Sequence, residues 1–192
     1  MGAMGEEAFS KLDDEELLHL AIEASREQRH GDAVAYLKHA IERSPSNYRA
    51  VYLLAAQHAQ IGLNDRAVEG FKKALEIEPK LAPARFQLGL LLLCNGRVDE
   101  ALAAWQPLDE LPDADPYLHF KRGMERLCRD DFAGCEESLK RGMALNRTNP
   151  SLNKDMQGVL DRMAAQLKSG EPPASGAQPG QILLNAYTKS LN

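Results

Sequence analysis

The sequence predicts an all-α chain built from repeated helix pairs, and three observations carry that prediction. "AVAYLKHAIERSPSN" (33–47) aligns with "AVEGFKKALEIEPKL" (67–81), so that Ala33, Leu37, Ala40 and Pro45 fall on Ala67, Phe71, Ala74 and Pro79 at an offset of 34 residues. Upstream, Leu20-Ala21, Leu54-Ala55 and Leu88-Gly89 recur at the same offset, a large residue followed by a small one, with Arg122-Gly123 as a fourth member. A small residue at that point lets two helices approach closely. Between the helices lie Gly62 in "QIGLND" and Gly96 in "CNGRVD", where glycine adopts the positive φ that ends a helix.

Carried along the chain, the period defines units at 14–47, 48–81, 82–115 and 116–149, after an N-terminal segment 1–13 whose "MGAM" start resembles a tag remnant. "DDEE" (13–16) places acid at the first helix start, where it complements the macrodipole. The first unit carries its glycine late, in "HGDA", and the fourth replaces it with Asp130 in "RDDF". In the third unit, Leu108 stands where the repeat has alanine. Pro107 and Pro112 predict a short or kinked second helix there. "PSLNKDMQGVLDRMAAQLKSG" reads as a capping helix over 150–168, with Ser151 as N-cap and Leu152, Met156, Val159, Leu160, Met163 and Leu167 as its apolar stripe. A flexible linker follows at 169–181, and then an apolar tail at 182–192.

These features resemble the tetratricopeptide repeat family over roughly residues 14–168, most fully in "YRAVYLLAAQHAQIGLNDRAVEGFKKALEIEP". The resemblance implies a right-handed superhelix of antiparallel helix pairs, a tetratricopeptide repeat solenoid whose concave face is lined by the first helix of each unit. At the family's inner positions this chain carries Glu15, Leu18, Ile22 and Arg26; Arg49, Tyr52, Ala56 and Gln60; Phe86, Leu90 and Leu93; and Tyr117, Phe120, Met124 and Leu127. Repeats that clamp C-terminal carboxylates need lysine, arginine and asparagine there for charge-assisted hydrogen bonds. Leu18, Ile22, Leu53 and Gln87 stand in those places instead. An apolar groove suits an amphipathic helix or an extended apolar segment. The other assignment for the same residues is packing between helices, since a shift of one residue in register turns several of them inward.

The tail supplies one occupant for such a groove. As a helix, 182–192 aligns Leu183, Tyr187 and Leu191 on one face, with Ile182 and Leu184 beside them. The linker has a root-mean-square reach of roughly 20 Å. That is enough to reach the fourth unit in cis, or a neighbour's groove in trans, which would make a homo-oligomer by tail exchange. A disordered terminus, or a tail that is itself a docking peptide, are the other readings.

Composition narrows the function classes. With 192 residues, 44% hydrophobic and 27% charged, the chain has the balance of an ordinary globular protein. A net charge of -5 offers no basic stripe for nucleic acid. No run approaches the length of a membrane span and the acidic start lacks the features of a signal peptide, so a cytoplasmic protein without membrane insertion is expected. Cys94, Cys128 and Cys135 are an odd number at spacings unlike a zinc ribbon; Cys94 and Cys128 occupy equivalent places in neighbouring units, whereas Cys135 replaces a packing alanine and Trp105 a core aromatic. The histidines His19, His30, His39, His58 and His119 form no metal-ligand spacing, and His58 stands where the repeat has tyrosine. No catalytic residue, metal or cofactor is expected. The sequence therefore predicts a non-enzymatic, chaperone-like scaffold binding a protein or peptide with apolar residues. The alternatives are a structural subunit of a larger assembly, secretion- or envelope-associated for example, that uses its outer face or tail, and, in another class, an undetected enzyme or metal-binding protein.

Overall fold

The computed structural model describes residues 12–169, which fall into two compact units divided between Leu88 and Gly89. Each described segment of regular structure is helical. The first unit holds α1 (Asp14–Arg26), α2 (His30–Arg43), α3 (Tyr48–Gln60), α4 (Asn64–Ile77) and the start of α5 (Ala82–Cys94). The second holds the end of α5, then α6 (Val98–Trp105), a 3-10 helix (Gln106–Glu110), α7 (Pro116–Cys128), α8 (Phe132–Leu145) and α9 (Pro150–Ser169). The fold is the all-α arrangement of helix pairs that the 34-residue period implies.

Local chemistry explains where these helices begin. Asp13 caps α1 by accepting from the Glu16 amide at 2.9 Å, while the Glu16 carboxylate accepts from the Asp13 amide at 2.8 Å, a reciprocal capping box. Asn47, Asp115 and Asp131 cap α3, α7 and α8 in the same way, each side chain accepting a backbone N–H of the first turn. Burial then follows the small-and-large pattern. Leu17, Leu18, Ala21 and Ala24 of α1 meet Ala33, Leu37 and Ala40 of α2, and Ala50, Val51 and Ala55 of α3 meet Ala67, Val68, Phe71 and Ala74 of α4.

The turns record the repeat most directly. Left-handed backbone occurs at Gln28 (φ 60°), Gly62 (φ 77°), Gly96 (φ 77°) and Asp130 (φ 58°), four residues spaced 34 apart. After each, an amide donates to a carbonyl five residues back: Arg29 to Ala24, Leu63 to His58, Arg97 to Leu92 and Asp131 to Arg126, at 2.8–3.0 Å. This is the Schellman closure, which satisfies a carbonyl left over at a helix end. The expectation that Gly31 serves the first turn is corrected: Gly31 lies inside α2, and Gln28 takes the left-handed position.

Pro107 acts as expected on the third pair. Helix α6 is 8 residues long where α2, α4 and α8 have 14, and the chain continues as a 3-10 helix in which Leu108 is buried. A β-carbon on Gly89 would come within 2.2 Å of the Trp105 ring, so the fully buried indole occupies space that only glycine leaves. At the cap, Asn149 and not Ser151 opens α9, its side chain accepting from the Leu152 amide at 3.1 Å. Asn146 and Asn153 lock this joint, the Asn146 amide donating at 2.8 Å to both the Asn149 carbonyl and the Asn153 side chain. Leu152, Met156, Val159, Leu160 and Met163 are buried, whereas Leu167 is 56% exposed and lies beyond the buried part of the stripe.

Candidate peptide-binding face

In the first unit, the inner positions of α1 and α3 form a short stripe with polar ends. Glu15 and Arg49, equivalent residues of successive repeats, are ion-paired and both about half exposed or more. At the other end, the Ser25 hydroxyl donates to the Gln60 side-chain carbonyl at 3.2 Å. Between these bridges Ile22, Tyr52 and Ala56 are half-buried and Leu18 is buried beneath. The Tyr52 ring rests against Phe71 of its own helix pair, centroids 6.0 Å apart. Arg49 and Gln60 lie eleven residues apart on one helix, which sets the stripe's length at about 16 Å.

The same repeat positions behave differently further along. Phe86, Leu93, Phe120, Met124, Leu127 and, in α1, Leu18 are at most 1% exposed, and Leu90 and Tyr117 are buried at 8% and 9%. For these residues the expected open groove is corrected to core. Phe120 shows why: its ring stands 2.6 Å from where a β-carbon on Gly142 would be, seated in the slot that the glycine leaves in α8, with Tyr117 packed edge-on at 6.1 Å. The proposed tail ligands Ile182, Leu183, Leu184, Tyr187 and Leu191 lie outside the described residues.

Reactive chemistry is muted. Burial pushes the Cys94 thiol up to about 12, Cys128 to about 11 and Cys135 to about 12, so all three stay protonated at neutral pH and are poor nucleophiles and metal ligands. Among the described residues no three histidine, cysteine or acidic side chains gather as a metal site. No described helix is long and apolar enough to cross a membrane. His58 is held below the ordinary imidazole range, first by burial and then by the like charges of Arg66 and Lys38.

Two polar features escaped the sequence reading. Gln57 is buried and pairs with the His30 ring nitrogen Nδ1 at 2.6 Å, tying α3 to α2. Lys121 is buried between Asp109 at 2.6 Å and Glu125 at 3.0 Å. Lys121 and Glu125 are four apart, a spacing visible in sequence. Asp109 lies twelve residues away across an irregular segment, and nothing in the pattern points to it.

The repeating helix pairs belong to a pattern that other proteins share. A family model described as "Tetratricopeptide repeat" matches residues 71–103, which joins the second pair to the third. Over this stretch the chain is similar to the tetratricopeptide repeat family. It is 34% identical over 95 residues to the small glutamine-rich tetratricopeptide repeat-containing protein 2 of Mycosarcoma maydis, covering 50% of this chain and 26% of that protein. Over 90 residues it is 28% identical to a tetratricopeptide repeat and J domain-containing co-chaperone of Fusarium oxysporum, covering 47% of this chain and 17% of the other. The chain thus spans about a quarter or less of the curated relatives it matches. A thermophilic tetratricopeptide repeat protein from Thermus thermophilus shares the fold with a TM-score of 0.61 at 18% identity, covering 93% of this chain and 98% of that one.

Proposed function

We propose that this tetratricopeptide repeat protein is a non-enzymatic interaction scaffold, chaperone-like, that binds an apolar or amphipathic peptide segment. The observation that carries this reading is the half-buried stripe of Ile22, Tyr52 and Ala56 between two closed polar bridges, Glu15 with Arg49 and Ser25 with Gln60. Because each bridge satisfies its own charge or hydrogen bond, the stripe offers no unpaired ion to a ligand, and recognition falls to apolar contact. Its length of about 16 Å matches three turns of helix or roughly five extended residues. The relationship to a co-chaperone supports the class of function. On this reading the segment 182–192 of a neighbouring chain is a competitor for the stripe, in trans.

The test uses that segment as the probe. A chain ending at Gly170 is expected to bind a synthetic peptide of residues 182–192, and Ala56→Arg, which plants a bulky charge in mid-stripe, is expected to lose that binding while keeping its helical circular dichroism. Binding that Ala56→Arg leaves intact would move the site elsewhere. Failure of the peptide to bind at all would eliminate the tail as an occupant of the stripe.

A further inference from the structure

The segment Gln106–Asp115 is where the repeat is interrupted, and its attachment differs in kind from that of the helices around it. Leu108 is its one fully buried apolar side chain, with Leu111 partly buried, and its specific ties to the helices beneath are polar. Asp109 takes the Lys121 ammonium at 2.6 Å. Asp113 takes the Arg141 guanidinium at 2.7 Å and Arg122 at 3.4 Å, and its backbone carbonyl accepts from His119 Nε2 at 2.7 Å. Both aspartates are more than half exposed, whereas the Lys121 side chain beneath is 5% exposed.

We propose that this segment is an ionic strap on the α7/α8 pair, which lifts and unravels while the helices beneath stay folded. Lys121 is the reason that lifting is tolerated. A buried ammonium stripped of its sole partner strongly disfavours an open state, but here Glu125, on the same helix and 3.0 Å away, still neutralises Lys121 when Asp109 leaves. Arg122 and Arg141 are each about half exposed and return to water. Pro107 and Pro112 keep the strap from extending α6, so the lifted segment does not become helix. Lifting uncovers Leu108 and the Lys121 and His119 side chains, none of which the closed state presents. Since the ties of Asp113 to Arg122 and Arg141 are charge pairs at the surface, salt loosens them where it leaves the apolar core of α8 in place.

Hydrogen exchange on the full chain tests this with two amides that report closure, Leu111 donating to the Leu108 carbonyl at 3.2 Å and Asp115 to the Pro112 carbonyl at 2.8 Å. Raising sodium chloride from about 0.05 M to about 1 M is expected to speed exchange at both at least tenfold, with α8 amides unchanged. Asp113→Asn is expected to give the same acceleration at low salt. Exchange at Leu111 and Asp115 that ignores salt, or that rises by the same factor as α8, overturns the strap. An Asp113→Asn protein that matches the unaltered chain at low salt overturns the latch at Asp113.

Discussion

Set side by side, the first helices of successive repeats show one repeat position doing two jobs. Ile22, Ala56, Leu90 and Met124 are spaced 34 apart, as are Leu18, Tyr52, Phe86 and Phe120, yet Ile22, Ala56 and Tyr52 stay partly open while Leu18 and the later residues are buried. For Phe120 the deciding variable is what the second helix offers in return. At the position of Ala40 and Ala74, which are buried small residues, the fourth repeat has Gly142, and the missing methyl admits the Phe120 ring. Tyr52 meets a helix that carries Ala74 at that position, and its ring leans on Phe71 instead. A repeat register thus assigns a direction to a side chain; the partner's volume decides whether that direction ends in core or in an accessible face.

The comparison breaks most sharply at Phe120. Phe120→Ala should destabilise the chain by about 3–5 kcal/mol, the range for deleting a fully buried aromatic, whereas Tyr52→Ala should lose about 1–2 kcal/mol because Tyr52 is only partly buried. Gly142→Ala should act on the same contact from the other side, by about 1–3 kcal/mol through overpacking. Urea unfolding of the three variants orders them. Equal losses for Phe120 and Tyr52 would mean that both positions share one environment.

The turns give a smaller and opposite effect. Gly62 and Gly96 adopt φ of 77° without a side chain to clash, but Gln28 and Asp130 adopt φ of 60° and 58° with one. A left-handed L residue is disfavoured by about 1–2 kcal/mol, less for aspartate. Part of the gain from glycine is lost to the freer unfolded chain. Gln28→Gly should therefore stabilise by about 0.5–1 kcal/mol and Asp130→Gly by less, read as shifts in the urea midpoint. If either variant lowers the midpoint, the side chain is making a contact that outweighs its backbone strain.

Much of this architecture was legible because it is written in residue size and turn chemistry. Alanines at 33, 40, 67 and 74 and glycines at 62 and 96 fix the pairs, and Pro107 stops α6 close to where a proline must. The face was legible only in part. Direction follows from the period, but burial depends on contacts between residues far apart in sequence, such as Phe120 with Gly142. The Schellman turn at Gln28 was hidden for a related reason: glutamine is no left-handed residue by preference, and only the backbone hydrogen bond from Arg29 to Ala24 shows that the turn overrules it. The asparagine joint at 146, 149 and 153 was equally silent, since it stands where the earlier repeats use Pro45 and Pro79 to end the pair.

The smallest effect separates the units by pH. His58 lies in the first unit at the place of a repeat tyrosine, and burial together with Arg66 and Lys38 disfavours its charged form. In the unfolded chain an imidazole titrates at about 6.5, above its folded value. Across that interval the unfolded state binds more protons than the native one, so the stability of the fold falls as pH falls through it and is fully present above it. Between about pH 7.5 and about pH 5.5 the unaltered chain should lose more unfolding free energy than His58→Gln, which keeps a polar side chain of similar size but takes up no proton. Taking the difference between the two proteins at each pH cancels the carboxylates common to both. An identical loss in the two would place His58 in an environment as open to protons when folded as when unfolded, and would leave the packed-histidine reading of that repeat position without support.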